Sequence, residues 1–293
     1  MLGKTWYGEK GYIDMIKYTL KHGVEVQDRT GVGCIKTFNH QVIYDIGNGE
    51  FPFSTIRPTP LRMAFEEFWL FMRGQTDTKI LEEKGINFWK GNTSREFLDK
   101  RGLHNEPEGS LGKSYSYQWR NFSGKHDQLP DILNTLQNDP YSRRMLTTFW
   151  NPAESHEMPL TPCWHSHLFN VYPNEQGELT LNMKVFNRSL DSILGYSFAV
   201  QQYALYMKCM AELANLKLGH IVFDLSDVHI YKNQYSYANE LVKRDLGVPG
   251  NVIIEKPLET LDDMLGLTWD DIAVEGLVVN TKKFDNPTPP MAV

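Results

Sequence analysis

Cysteine is scarce in this chain, and its three occurrences, Cys34, Cys163 and Cys209, lie far apart with no C-x-x-C spacing. That excludes a disulfide framework and gives no sign of a zinc site, so no metal is expected and the thiols read as reduced. Long apolar runs are missing as well. No window reaches 18 consecutive apolar residues, and Met1 to Lys10 lack the charged-then-apolar layout of a signal peptide. The expectation is a cytoplasmic protein with no membrane partner. Positive charge is not in excess either: a formal net charge of -6 argues against a nucleic acid polymer as partner, although it leaves room for a local basic pocket. No repeat, low-complexity tract or Pro/Gly/Ser linker divides the chain, so one catalytic domain over 1–293 is the simplest organisation.

What is present is a sizeable apolar share, 41% with 12% aromatic, and it is patterned. Residues 61–73 carry apolar side chains at helical spacing and stop at Gly74. A second helix fits 199–214, where Val200, Tyr203, Ala204, Met207, Met210 and Leu213 form one stripe. Leu179, Leu181, Met183 and Val185 alternate with polar residues, and the turn 174–177 joins this strand to 165–172 as a hairpin. The stretch 220–231 also reads as strand. Helices and strands do not strictly alternate, which predicts an α+β mixed sheet rather than a doubly wound one. The polar stretch 91–110 reads as a surface insertion.

Three groups of residues could carry chemistry. Cys163 precedes an extended run, and Arg188-Ser189 follow the partner strand of the same hairpin, so a guanidinium can stabilise the thiolate that acts as nucleophile. Cys34 and Cys209 lack such neighbours and read as structural. His165 and His167 alternate along the strand and so are expected on one face of it. Glu67 has Met63, Leu70 and Phe71 as helical neighbours, where desolvation favours the protonated carboxyl; Glu66 faces Arg62 at i−4 as an ordinary surface pair. Glu67 fits a working carboxyl or one at the rim of a buried face about equally. Finally, the three motifs that hold Arg29, Arg143 with Arg144, and Arg188 each place arginine beside a small or hydroxyl-bearing residue, which suits recognition of a dianion.

Together these segments resemble the thymidylate synthase family, from about residue 27 to the end. The resemblance is carried by DRTGVG (28–33), the helix with Glu67, GQTDTKIL (74–81), LGKSYSYQWR (111–120), NDPYSRRM (138–145), LTPC (160–163), NRSLDSILG (187–195), DVHIY (227–231) and PMAV (290–293). It implies a thymidylate-synthase-like mixed sheet with packed helices, a homodimer with shared active sites, and one-carbon transfer from 5,10-methylenetetrahydrofolate to C5 of a pyrimidine nucleoside monophosphate. By the same resemblance Cys163 adds to C6 of the base, Glu67 organises water and proton transfers, and Tyr115 assists proton removal from C5. Arg29, Arg188, Ser189 and Asn187 fall to the nucleotide, with Arg143 and Arg144 reaching in from the partner subunit. His229 and Tyr231 match the pair on the sugar 3′-hydroxyl. Trp89, Asn92, Asp191, Gly195 and the closing Val293 belong to the folate side.

The pattern departs from the family around the base. Ala199 stands where an asparagine reads uracil, and where deoxycytidylate hydroxymethylases carry aspartate. Trp164 follows the nucleophile in place of a common histidine, Asn92 replaces a tryptophan, and Asn187 a glutamine. A methyl group makes no hydrogen bond to the base. On sequence the leading reading is therefore a variant dCMP or dUMP hydroxymethylase or methylase. The alternatives are an ordinary thymidylate synthase with another uracil reader, Gln201 or Gln202, and a catalytically inactive nucleotide-binding regulator. Retention of Cys163, Glu67, Tyr115 and the arginines speaks against the last.

Overall fold

The computed structural model describes residues 3–28 and 30–289. The chain begins with strand β1 (Thr5–Tyr7), helix α1 (Gly8–His22), β2 (Val24–Val26) and the long β3 (Cys34–Asp45). A helical stretch follows, with α2 (Leu61–Met72), α3 (Lys79–Glu83), α4 (Arg95–Lys100), α5 (Tyr115–Arg120) and α6 (Gln128–Asn138). Next come β4 (Leu146–Thr148), β5 (Trp164–Pro173), β6 (Leu179–Asn187), β7 (Leu190–Asp191) and α7 (Tyr196–Leu213). The long β8 (Lys217–Tyr231), α8 (Tyr235–Leu241), β9 (Asn251–Ile254), α9 (Leu261–Leu265) and β10 (Ile272–Glu275) complete the order.

The main sheet runs β1-β3-β8-β6-β5-β4, with β2 added to β3 and β7 to β8. Its pairings are mixed: β3 is antiparallel to β8, but β8 is parallel to both β6 and β7. This is the α+β sheet that the pattern predicts. Among the described residues no helix is long and apolar enough to cross a membrane.

The β5–β6 hairpin forms where expected. Asn174 Oδ1 accepts from the amides of Gln176 and Glu178, and Gly177 takes the turn's left-handed position at φ +80°. His165 and His167, expected on one face, fall on opposite faces. The register slips between Trp164 and Ser166, a β-bulge that puts one extra residue into β5. His165 therefore lies near Phe186 on the outer face, while His167 is buried among Trp119, Phe149, Tyr203 and Tyr206. Burial alone pushes its imidazole down to about 3, so it packs as a neutral ring.

The helices depart from their expected bounds for tertiary reasons. α7 begins at Tyr196, ahead of the predicted 199, and is buried on nearly all sides, with only Phe198, Lys208 and Glu212 less covered. The polar Ser197 and Gln201 interrupt its apolar period, and burial of the whole helix hides a single stripe. On α2, Glu66 does not pair with Arg62; it is buried and pairs with Lys84 Nζ at 2.5 Å, because the chain folds back through α3. Nor is 91–110 a plain surface insertion. Gly109 bonds both Thr78 and Thr93, which ties the segment into the body, and Asn92 and Thr93 are buried.

α2 anchors the C-terminal region through Trp69, whose indole stacks on Phe65 at 4.2 Å and donates to the Met264 carbonyl at 2.8 Å. Trp69→Ala removes a fully buried ring and orphans that carbonyl. A loss of about 3–5 kcal/mol is expected in urea unfolding. Trp69→Phe, which retains most of the volume, should lose far less.

Candidate active site

Cys163 sits at the end of a loop entering β5, just before the bulge. Its amide donates to Tyr115 Oη at 2.8 Å, and the Trp164 amide reaches the same oxygen at 3.3 Å. Arg188, at the end of β6, folds over the loop. Its Nε donates to Pro162 O at 2.9 Å and its Nη2 to Thr161 O and Oγ1 at 2.8 and 2.9 Å, which holds Nη2 3.8 Å from Cys163 Sγ. The guanidinium also rests 5.2 Å from the Trp150 ring. A fixed cation this close favours thiolate over thiol. The arginine and the thiol are thus brought together as their places on the hairpin suggest.

Tyr115 opens α5 and is partly buried. Desolvation drives its phenol far above the ordinary value, with Cys163 adding and the two amides and Arg188 opposing. It is therefore neutral near pH 7, and after accepting from two amides it still has its own O–H to donate.

Glu67 projects from α2 into the same cavity, its side chain partly buried. Its Oε1 accepts from Trp89 Nε1 and its Oε2 from Gln202 Nε2, each at 2.6 Å. Desolvation raises its pKa despite both bonds. Trp89 was legible as a site residue, but its bond to Glu67 was not, and neither was the bond from Gln202. The only sequence signal was the Gln201-Gln202 pair in an otherwise apolar helix. Of the two, Gln201 turns inward to donate to Ser197 O at 2.6 Å and does not line the cavity. As a uracil reader it is thereby ruled out.

The remaining residues surround a cavity of about 1390 Å³. Ser189, Asp191, Gly195, Ala199, His229, Tyr231, Trp89 and Asn92 all line it. His229 Nδ1 lies 3.0 Å from Asp227 Oδ1, and Lys36 Nζ pairs with Asp227 Oδ2 at 2.5 Å, so the imidazole is oriented from behind. Burial of Asp227 is outweighed by His229 and Lys36, which together hold its carboxyl below the usual range. Asp191 is taken up structurally: Oδ1 caps Ile193 and Leu194, and Oδ2 accepts from Gln234.

Several expected residues lie elsewhere. Asn187 is only 1% exposed, pairs with Trp164 across the hairpin and does not line the cavity; it follows Leu181, Met183 and Val185 at period two onto the core side of β6. Arg143 and Arg144 are exposed and off this chain's cavity. Arg29 and Met291 to Val293 lie outside the described residues. Cys34, read as purely structural, borders the cavity, yet burial and the nearby Asp28 and Asp227 push its thiol up to about 11. Phe97 and Arg101, from the supposed surface segment, also line it, which corrects that reading further.

The volume exceeds what one small ligand needs. Phe88, Trp89, Leu194, Phe198 and Phe284 give the cavity an aromatic and apolar lining, which suits a flat ring system. The residues that carry the thiol, carboxyl and phenol, Cys163, Glu67 and Tyr115, line this one cavity.

Comparison with known proteins agrees with this geometry. Residues 10–284 match the family model described as Thymidylate synthase. The thymidylate synthase of Ascaris suum is 34% identical over 280 residues, covering 92% of this chain and 92% of that protein. That of Varicella-zoster virus (strain Dumas) is 33% identical over 301 residues, covering 99% and 94%. The bifunctional dihydrofolate reductase-thymidylate synthase of Paramecium tetraurelia is 36% identical over 248 residues, and the match spans about half of that longer protein, 52%.

Proposed function

Because this chain belongs to the thymidylate synthase family, we propose that it carries out that family's methyl transfer, converting deoxyuridylate to thymidylate. The observation that carries the reading is the Cys163 thiol held 3.8 Å from a guanidinium in one cavity with the desolvated Glu67 carboxyl. Family members are one-carbon transferases that use 5,10-methylenetetrahydrofolate. When bound, this co-substrate supplies the methylene carbon and, for a methyl product, the hydride. The lining formed by Trp89, Phe88, Leu194 and Phe198 would hold it.

The chain's own residues divide the remaining work. Cys163 thiolate adds to C6 of the pyrimidine, which makes C5 nucleophilic. Arg188 stabilises the thiolate and with Ser189 faces the phosphate, a task that the resemblance also gives to Arg29, which lies outside the described residues. His229 and Tyr231 face the sugar. Glu67, its two oxygens fixed, orders water at the base and moves protons there, and Tyr115 takes part in removing the proton from C5.

A second reading is favoured by a specific feature. The cavity wall carries a methyl group at Ala199 and a small amide at Asn92, where the family places a base-reading asparagine and a tryptophan. Both changes suit a dCMP or dUMP hydroxymethylase, in which water rather than hydride completes the product. Incubating the enzyme with methylenetetrahydrofolate and each of dUMP, dCMP, UMP and CMP, with product masses read by mass spectrometry, separates the readings. A methyl product from dUMP is expected. A hydroxymethyl product, heavier by one oxygen, or exclusive use of dCMP would overturn it.

The reading includes a homodimer in which Arg143 and Arg144 complete the phosphate site of the other subunit. Their exposure outside their own cavity supports it. Mixing Arg143→Ala chains with Cys163→Ser chains should then restore part of the activity, since one hybrid site contains both native residues. No recovery after demonstrated subunit exchange counts against a shared site.

A further inference from the structure

The family's reading position on α7 holds a methyl group, so the base must be recognised by something else. Ala199 and Gln202 are one helical turn apart and both line the cavity. The amide nitrogen of Gln202 is 3.1 Å from the Ala64 carbonyl and 2.6 Å from Glu67 Oε2. A main-chain carbonyl only accepts, so the atom facing it must be the NH₂ group, and the amide is fixed in one orientation. Both amide hydrogens are thereby used. What remains is Oε1, which accepts no hydrogen bond among the described residues and is not sealed off from the cavity.

We infer that Gln202 is the specificity-determining residue for the base, accepting the N3–H of a uracil ring through Oε1 while Ala64 and Glu67 hold its amide in place. The inference rests on the reading of this cavity as a pyrimidine nucleotide site. Uracil presents a hydrogen at N3, whereas cytosine presents a lone pair there, which would set acceptor against acceptor. The competing donor is the exocyclic amine of cytosine, and the same oxygen could meet it only with the base shifted in the site. An acceptor fixed from behind does not adapt by flipping, as a free glutamine would. The loss of the family's asparagine is thus offset by a residue one turn along the same helix.

The test measures dissociation constants of dUMP, N3-methyl-dUMP and dCMP with the wild-type protein and with Gln202→Ala, which leaves room for the methyl group. In wild type, dUMP should bind roughly 10- to 100-fold more tightly than N3-methyl-dUMP, the range of one lost buried hydrogen bond. In Gln202→Ala most of that gap should vanish. Ala199→Asn added to Gln202→Ala should restore preference for dUMP over dCMP by placing an amide on the same face. Should Gln202→Ala not fold, Gln202→Met keeps the volume, removes both polar ends and serves the same comparison. A gap that persists in the folded variant overturns the inference. So does a wild-type preference for dCMP that disappears with Gln202, because the oxygen then meets the amine. If wild type binds none of the three nucleotides, the reading of the site itself has failed, and that is visible before any variant is made.

Discussion

Cys163→Ser is expected to abolish turnover while leaving nucleotide binding close to that of wild type. Arg188 can draw a thiol into its ionised form, since the free thiol titrates about 8.5, but a serine hydroxyl lies far beyond the reach of one guanidinium at 3.8 Å. Little else should move. Arg188 is held by Thr161 and Pro162 rather than by the sulfur, and the loop by Tyr115, so the phosphate end keeps its shape. Steady-state assay and nucleotide titration of the same preparation check both halves; near-native turnover by the serine variant would refute the covalent mechanism. Cys34→Ser and Cys209→Ser provide the controls. Burial pushes both thiols up, Cys34 to about 11, and among the described residues neither has an arginine in its electrostatic surroundings, so both variants should remain active.

Glu67→Gln is expected to lower kcat by roughly 10²- to 10⁴-fold, the usual contribution of a positioned proton-transfer group. The change is nearly isosteric, but the environment is built for two acceptors. Trp89 and Gln202 both donate, so a glutamine would set its own NH₂ against one of them. A pH profile adds a second check. Burial raises the carboxyl, so kcat/KM of the wild type should fall as pH drops through a value above the ordinary 4.5. The variant should lack that acid limb. In stability the same shift has the opposite sense: the folded state binds this proton more tightly than the unfolded chain, so the group's penalty grows as pH rises through the raised value. An unchanged acid limb in Glu67→Gln would assign it to another group.

The parts of this molecule legible in the sequence are those written in local pattern. The hairpin of β5 and β6, the helix with Glu67 and the cysteine–arginine pair across the hairpin all follow from period, turn residues and spacing. The order and spacing of the motifs also carried the family, which the comparisons show. What could not be read depends on partners distant in sequence. Glu66 finds Lys84 rather than Arg62 because α3 returns alongside α2, and no helical period encodes that return. Gln202 meets Glu67 from another helix, 135 residues away. Asn92 and Phe97 turn to the cavity because Gly109 is tied to Thr78 and Thr93, a closure that a polar, glycine-containing segment conceals. The parity of β5 was misread because a bulge adds a residue without any composition of its own.

That bulge also bears on which changes of length the chain tolerates. Between Cys163 and His167 the strand must satisfy two frames at once: the thiol and Trp164 face the cavity, while His167, Phe169 and Val171 belong to the buried side. The extra residue reconciles them. Deleting any one residue of 164–166 would force a choice, keeping the nucleophile in place and turning three core side chains outward, or keeping the core and swinging the nucleophile away. Point substitution of the outward-facing His165 should be mild by comparison. Alignments and chimaeras that place a gap in this stretch would therefore join a site and a core that no longer share a register.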